Sequence, residues 1–444
     1  MDTLENRLQK RIHVSLYALL FLTGLLGISV LLEGCTDKCE VTNEYVTYKP
    51  IYTSLEEIRQ VRVTQPEEIK TIGKIYYKDH YLFVNEPGKG IHVIDNHNPA
   101  APVNKSFINI PGTYELAIKG DALYADSYID LVVLDISSPD NIHEVNRIEN
   151  IFSNYNSLGF YMDPEKGLVT DWVAEKNVTI MKSDCNSGVQ SWGGMYYDGG
   201  IALASNIAFD KSAAIAPGNG SGPGVGGSMA RFTINKNYLY ALDAFYVKPL
   251  DISNEMSPEK KEAVNVGTYF ETIFSSAQNL FMGAHDGMYI YDVYDQAVPQ
   301  RVGVYAHART CDPVVVDGNY AFVTLHSGTT CDGYSNQLDV VDIQNLQAPQ
   351  LVKTYPMTNP QGLGKDQNTL FICDGSDGLK VYDASDVNAI NTKLLAHYKN
   401  IDAYDVIPVD GVLMMIGANG LYQYDYSNPT DIKLLSHLAV SHED

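Results

Sequence analysis

Tryptophan, cysteine and basic side chains are all scarce in this chain, and the shortages narrow what it can be. Lys and Arg number 31 against 54 Asp and Glu, a formal charge of -23. Nucleic-acid binders carry a basic footprint for the phosphate backbone, so this balance argues against such a partner. An acidic surface suits a soluble exported domain or the attraction of cationic or neutral ligands, and solubility alone explains it equally well. After Leu32 no run of 18 or more apolar residues occurs, so no later segment is expected to span a membrane. Enzyme signatures are missing too: there is no G-x-S-x-G, H-E-x-x-H, Walker loop or C-x-x-C. Propellers, barrels and other scaffolds host enzymes without such motifs, so their absence lowers an enzymatic reading without ending it.

The amino terminus is the one strongly apolar stretch. Arg7, Lys10 and Arg11 precede the run Val14–Leu32, which ends at Glu33, Gly34 and Cys35. A basic region, an apolar region and a small residue at the cleavage point make a secretory signal, expected over 1–34. The ending Leu-Glu-Gly-Cys looks like a bacterial lipobox, with Cys35 acylated as the mature terminus; glutamate in its second place departs from the usual small residue. An uncleaved anchor or an ordinary signal peptide is the alternative. Acyl chains hold a protein to a bilayer without a spanning helix, so the expected location is the cell envelope, at the outer membrane, with the side faced left open. Residues 35–68 read as a tether, with EEIRQVRVT as a candidate closing strand. Export permits disulfides. Cys39, Cys185, Cys311, Cys331 and Cys373 are odd in number, so at least one stays free or pairs with another chain.

From residue 69 to 441 the chain repeats itself. LVVLDISSPD, from Leu131 to Asp140, has counterparts in GIHVIDNHNP, YVKPLDISNEMSP, MYIYDVYDQAVP, QLDVVDIQNLQAP, LKVYDASDVN and LYQYDYSNP. Spacing of roughly 40 residues marks a repeat whose units bury their apolar faces only against neighbours. Each unit contains four short runs of strand formers bounded by Gly, Pro, Asn and Asp, which predicts four antiparallel strands. We label them a to d from the axis outward. The expected fold is therefore all-β, a single β-propeller of four-stranded antiparallel blades. Counting b strands, from LFVNE at Leu82 to LMMIG at Leu413 and including LVTDW at Leu168, gives eight blades. Seven is the alternative, because the Leu168 copy has a short or missing outer strand and runs into a Gly-rich insertion over 186–227.

The runs LVVLDIS, LDVVDI and IHVID, each before a turn, resemble the LVIVD repeat. That resemblance implies an exported, often lipid-anchored bacterial β-propeller. It supplies no reaction and no catalytic residues. The copies VTIMKSD and LYQYDYS depart most from it.

The repeated Asp closing strand c, at 95, 135, 251, 292, 342, 383 and 425, is expected to cap its own turn by accepting from an amide two residues on. Where strand b ends, Glu86, Asp126, Asp171, Asp243, His285, His326, Asp374 and Asn419 supply one polar group per copy. These are either turn formers or a ring of ligand-binding groups around one mouth. Strand a contributes Glu115 and Arg231, with Lys74, Thr272, Asp312 and Asp405, to an inner ring. Such charges pair with one another, or Arg231 holds a carboxylate or phosphate. Cys311 and Cys331 are expected on the mouth face, close enough for a disulfide. No metal or cofactor is expected. The function expected is a binding or scaffolding module taking a protein or glycan ligand at the mouth. The alternative is an envelope hydrolase or lyase with Asp126 and Asp243 as acid and base.

Overall fold

In the computed structural model, residues 38–152, 161–184, 225–284, 286–307, 313–327 and 335–441 are described. Two compact units divide the chain. One comprises Met1–Pro50 with Trp172–Ala202, the other Ile51–Asp171 with Leu203–Asp444. In the first, the backbone of the long strand Lys38–Thr53 lies beside the strand Gly167–Asp184, both of which continue past the division. Lys49 bridges to Glu175 at 2.8 Å there.

The second unit is a β-propeller. Seven antiparallel sheets follow in chain order, each a meander in which strand a pairs with b, b with c, and c with d. Blade 1 runs from Ile75 to Asn109, blade 2 from Leu116 to Ile148 and blade 3 from Phe232 to Asn265. Blades 4 to 7 start at Phe270, Val314, Leu363 and Ala403, and the last ends at Ala439. Leu131, Val132, Val133 and Leu134 of blade 2 are all fully buried. Alternation fails in this strand because each blade is covered on both faces by its neighbours, so inward and outward side chains alike leave water. Burial of each such side chain contributes about 1.5–3 kcal/mol. The outer strand d of the same blade, HEVNRI, has no buried residue, because it forms the rim.

Two-residue hairpins join a to b. Asp79 and His80 in blade 1 have φ of 48° and 63°, the left-handed pair that a type I′ turn demands. Between c and d, the ladder slips by one residue at the same place in blades 1, 2, 4, 5, 6 and 7. This bulge adds twist to each outer strand. In blade 3 strand d is broken instead into Glu259–Lys260 and Val264–Asn265.

Packing closes the ring. Apolar clusters join blades 1, 2 and 3, then 3 and 4, then 4, 5 and 6, then 6 and 7. The last joins 7 back to 1 through Ile407, Met414, Ile416 and Leu421 against Ile75, Leu82, Val84 and Ile94. No strand is shared across that seam. Instead Asn96 and Gln423, both buried, exchange two amide hydrogen bonds of 2.9 and 2.7 Å, and Ser441 N donates to Ile69 O at 2.8 Å. Elsewhere tyrosine hydroxyls cross the seams: Tyr124 donates to Glu255 O at 2.9 Å, Tyr240 to Gln296 O at 2.8 Å and Tyr355 to Val387 O at 2.6 Å.

Eight copies in sequence thus correspond to seven meander sheets among the described residues. The Leu168 copy lies in the long strand Gly167–Asp184, in a three-stranded sheet with Lys38–Thr53 and Met162–Asp163. Blade 2 packs directly on blade 3, which leaves no gap for it. Of the region around the candidate closing strand, Arg62–Thr64 pairs with strand d of blade 1, and Leu55–Ile58 forms one helical turn. The Gly-rich insertion lies outside the described residues up to residue 224.

Beyond it, the chain enters the axis. Val225 and Gly226 pair with Tyr77 and Tyr76 on the inner edge of blade 1. Ser228 Oγ then accepts from Leu363 N of blade 6 at 3.1 Å, and Met229 O from Lys74 Nζ of blade 1 at 2.6 Å. Ala230 O accepts from Ile273 N of blade 4 at 2.8 Å, and Arg231 N donates to Glu115 Oε2 of blade 2 at 3.1 Å. A segment bonded to the inner strands of four blades fills the centre of the ring, and Ser228 and Met229 are accordingly buried.

Candidate functional site

The two ends of the ring use their acids differently. At the c-to-d end, all seven repeated aspartates accept a backbone hydrogen bond from the residue two ahead. His97, Ser137, Ser253, Tyr294, Gln344, Ser385 and Ser427 donate at 2.8–3.1 Å. Hydrogen bonds from Ser385 hold the Asp383 carboxyl down at about 2. These groups are structural, and their duty is the same in every blade.

At the other end, the mouth, the b-to-c turns and the entries to strand a meet. Here three blades share one device. Glu86 and Asp243 end strand b in blades 1 and 3, Asp374 directly follows it in blade 6, and each is buried. Each faces a base on strand c of its own blade: His92 at 3.1 Å, Lys248 at 2.7 Å, and Lys380. These bases occupy one ladder position, opposite Val84, Ala241 and Ile372. A carboxylate buried in this way is tolerable only with a partner. Burial alone would lift the Glu86 carboxyl, but hydrogen bonds from His92, Lys89 and the Lys70 amide outweigh it and hold it at about 2. Asp374 also accepts from Thr358 N at 3.1 Å and Asn359 N at 2.7 Å. These three acids therefore brace their blades. A basic residue inside an otherwise apolar c run, as in GIHVID, YVKPLD and LKVYD, was the available signal for the pairing.

Asp126 is not part of that set. The ladder places Ser127, not Asp126, at the Glu86 position, since Ala125 pairs with Leu116 as Val84 pairs with Ile75. A shift of one residue turns the side chain to the opposite face. Asp126 Oδ1 accepts from Tyr114 N at 2.7 Å, Glu115 N at 2.8 Å and Thr113 Oγ1 at 3.2 Å. Burial nevertheless lifts its carboxyl to about 7, with the neighbouring Glu115 carboxylate adding to the rise against the three hydrogen bonds.

Glu115, Asp126 and Arg231 come together where blades 2 and 3 meet the axis. Glu115 is committed twice, to Lys74 Nζ at 2.7 Å and to Arg231 N at 3.1 Å. Arg231 is held through its backbone by that bond and by Leu242 N, which donates to Arg231 O at 2.9 Å. Its side chain makes no ion pair among the described residues, and its Nε is buried without a hydrogen-bond partner. Burial works against the guanidinium charge, but Tyr269, Glu115, Asp126 and Asp243 outweigh it and keep the group protonated. An orphaned buried donor costs about 1–3 kcal/mol, so it is rarely retained without a use.

The remaining positions do not join this group. Asp171 is exposed on the strand Gly167–Asp184, where its charge acts on Tyr114 and Tyr128 at the end of blade 2. His326 is buried at the end of strand b in blade 5. Asp405 is buried at the start of strand a in blade 7, where its Oδ1 accepts from Val406 N at 2.8 Å. Cys373 is free and buried, and burial raises its thiol well above the usual range. Cys35, His285, Cys311, Cys331 and Asp312 lie outside the described residues.

Comparison with known proteins agrees with the repeat pattern. The family described as the LVIVD repeat matches residues 113–149 and 308–357. No curated protein matches the chain. Among solved structures, the computationally designed protein Ika8 aligns at 10% identity over 85% of this chain and 89% of its own, with a TM-score of 0.48. BamB from Moraxella catarrhalis aligns at 8% identity over 86% and 97%, with a TM-score of 0.46. Saccharomyces cerevisiae Sqt1 aligns at 9% identity over 88% of each chain, with a TM-score of 0.47. From its own sheets and its matched repeats, the chain is a β-propeller carrying LVIVD repeats.

Proposed function

We propose that this protein is a binding or scaffolding module of the cell envelope, anchored through a lipid on Cys35, that takes a protein or glycan ligand at the mouth of its propeller. The observation that carries the reading is the contrast between the two ends of the ring. The c-to-d end repeats one structural device seven times, whereas the mouth departs from the repeat where blades 2 and 3 meet and holds a guanidinium whose buried Nε has no partner among the described residues. Residues that break a repeat without stabilising it are where function is expected. The segment 225–231 fills the centre of the ring, so a ligand at the mouth rests on that segment instead of entering a through-channel.

Site-specific photocrosslinking in native envelopes tests this. A crosslinker at Lys89, on the mouth, should yield adducts, and one at Gln344, on the c-to-d end, should not. Equal adducts at both ends, or adducts at Gln344 alone, would overturn the proposal. For the anchor, Cys35→Ala should release the protein to the soluble fraction.

One observation favours the second reading, an envelope hydrolase or lyase in the same mouth. A carboxyl titrating near 7, as Asp126 does, is suited to general acid catalysis at neutral pH. Asp243, bound to Lys248 at 2.7 Å, is poorly placed to serve as its base. Turnover of envelope glycans or peptides that disappears in Asp126→Asn would establish this alternative.

A further inference from the structure

We propose that Arg231 anchors a site for a single carboxylate group of the ligand, at the mouth between blades 2 and 3. The inference rests on the mouth being the binding face and adds the chemistry of what binds there.

Each acid near Arg231 already faces another donor. Glu115 is divided between Lys74 Nζ and the Arg231 backbone amide, at 2.7 and 3.1 Å. Asp243 holds Lys248 at 2.7 Å. Asp126 caps three donors at the start of strand a in blade 2. The guanidinium is thus surrounded by acids yet paired with none, while its backbone is fixed by Glu115 and Leu242. Its position is set before any ligand arrives, which lowers the entropic cost of binding. A guanidinium offers planar, paired N–H donors that match the two oxygens of a carboxylate.

The surrounding charge selects a monoanion. Lys74, Lys248 and Arg231 face Glu115, Asp126 and Asp243, three cations against three acids. A dianion such as phosphate would bring a second negative charge among those acids, with no further uncommitted cation in the group to meet it. Asp126, with its carboxyl lifted to about 7, is partly neutral near physiological pH, and this eases the approach of one negative charge. The carboxylate can come from a uronic sugar or from a peptide terminus, and the chemistry at Arg231 is the same for both.

The test compares matched probes on the full-length protein. D-glucuronate is set against D-glucose, and a short peptide with a free carboxyl terminus against its amidated form, by calorimetric titration. At least one carboxylate should bind about tenfold or more tightly than its uncharged partner, and Arg231→Gln should abolish that preference while Arg231→Lys keeps part of it. Which probe pair shows the preference identifies the source. Arginine-specific labelling of the unmodified protein, mapped by mass spectrometry, provides a check that no folding defect can mimic: the effective carboxylate should protect Arg231, and its uncharged partner should not. No preference in either pair, a preference that survives in Arg231→Gln, or equal labelling of Arg231 throughout would overturn the inference. If those failures occur while Lys89 still forms adducts in the envelope, the mouth remains the binding face and only the carboxylate site falls. Loss of the Lys89 adducts as well would remove the binding reading itself.

Discussion

The c-to-d end and the mouth of this ring are made from the same repeat, yet acids have opposite standing in them. At the c-to-d end a half-buried aspartate answers one backbone amide of its own turn, seven times over, at nearly constant distance. At the mouth the partners of the acids vary: a histidine in blade 1, a lysine in blades 3 and 6, three donors to Asp126 in blade 2. Repetition holds where the only duty is local geometry. It lapses where side chains from different blades come within reach of one another, because neighbours there can no longer be identical.

The contrast has measurable consequences. Lys380→Ala leaves the fully buried Asp374 without its counter-charge, and a loss of about 3–5 kcal/mol is expected in urea unfolding. Replacing both residues together should recover much of it. Next comes the seam between blades 7 and 1, the place near the c-to-d end where a buried side chain matters comparably. Gln423→Ala strands the Asn96 amide, and about 1–3 kcal/mol should be lost, visible as a lower urea midpoint.

Asp126 behaves differently again, because its burial opposes its charge. An aspartate in the unfolded chain titrates near about 3.9. Between that value and about 7 the folded protein holds the extra proton, so this group's contribution to stability falls as pH rises through the window. Asp126→Asn should match the parent near pH ~4 and exceed it by about 1–3 kcal/mol near pH ~8, read from thermal unfolding across pH. The smallest effect belongs to the repeated turn. Asp135→Ala and Asp425→Ala should each cost about 0.5–1.5 kcal/mol, and similar amounts, because each removes one exposed hydrogen bond of 2.8 Å.

Much of this was legible in the residues. The runs LVVLD and LDVVD announce strands buried on both faces, and the Asp after each announces its turn, because both signals are local. The blade count was harder. LVTDW at Leu168 reads like any b strand, but one of its two partners is Lys38–Thr53, more than a hundred positions away, and no local pattern reveals such a pairing. The register of the acids at the mouth was harder for a different reason. Choosing the nearest polar residue grouped Asp126 with Glu86, although counting from Leu82 and Leu123 places Ser127 there, and one step along a strand is a change of face. The isolation of Arg231 could not be read at all, since it depends on how five neighbouring acids and bases divide among themselves in space.

The seam between blades 7 and 1 has one more implication. Because no strand crosses it, strands a to d of each blade follow one another in sequence, and Ser441 ends one hydrogen bond of 2.8 Å from Ile69. The ring therefore has no privileged starting blade. Joining its ends by a short peptide and opening the chain between blades 4 and 5 would produce a circular permutant in which strands a to d of every blade are still continuous in sequence. Order of synthesis and order around the axis are separable in this protein, and the gene's choice of first blade is a matter of history more than of mechanics.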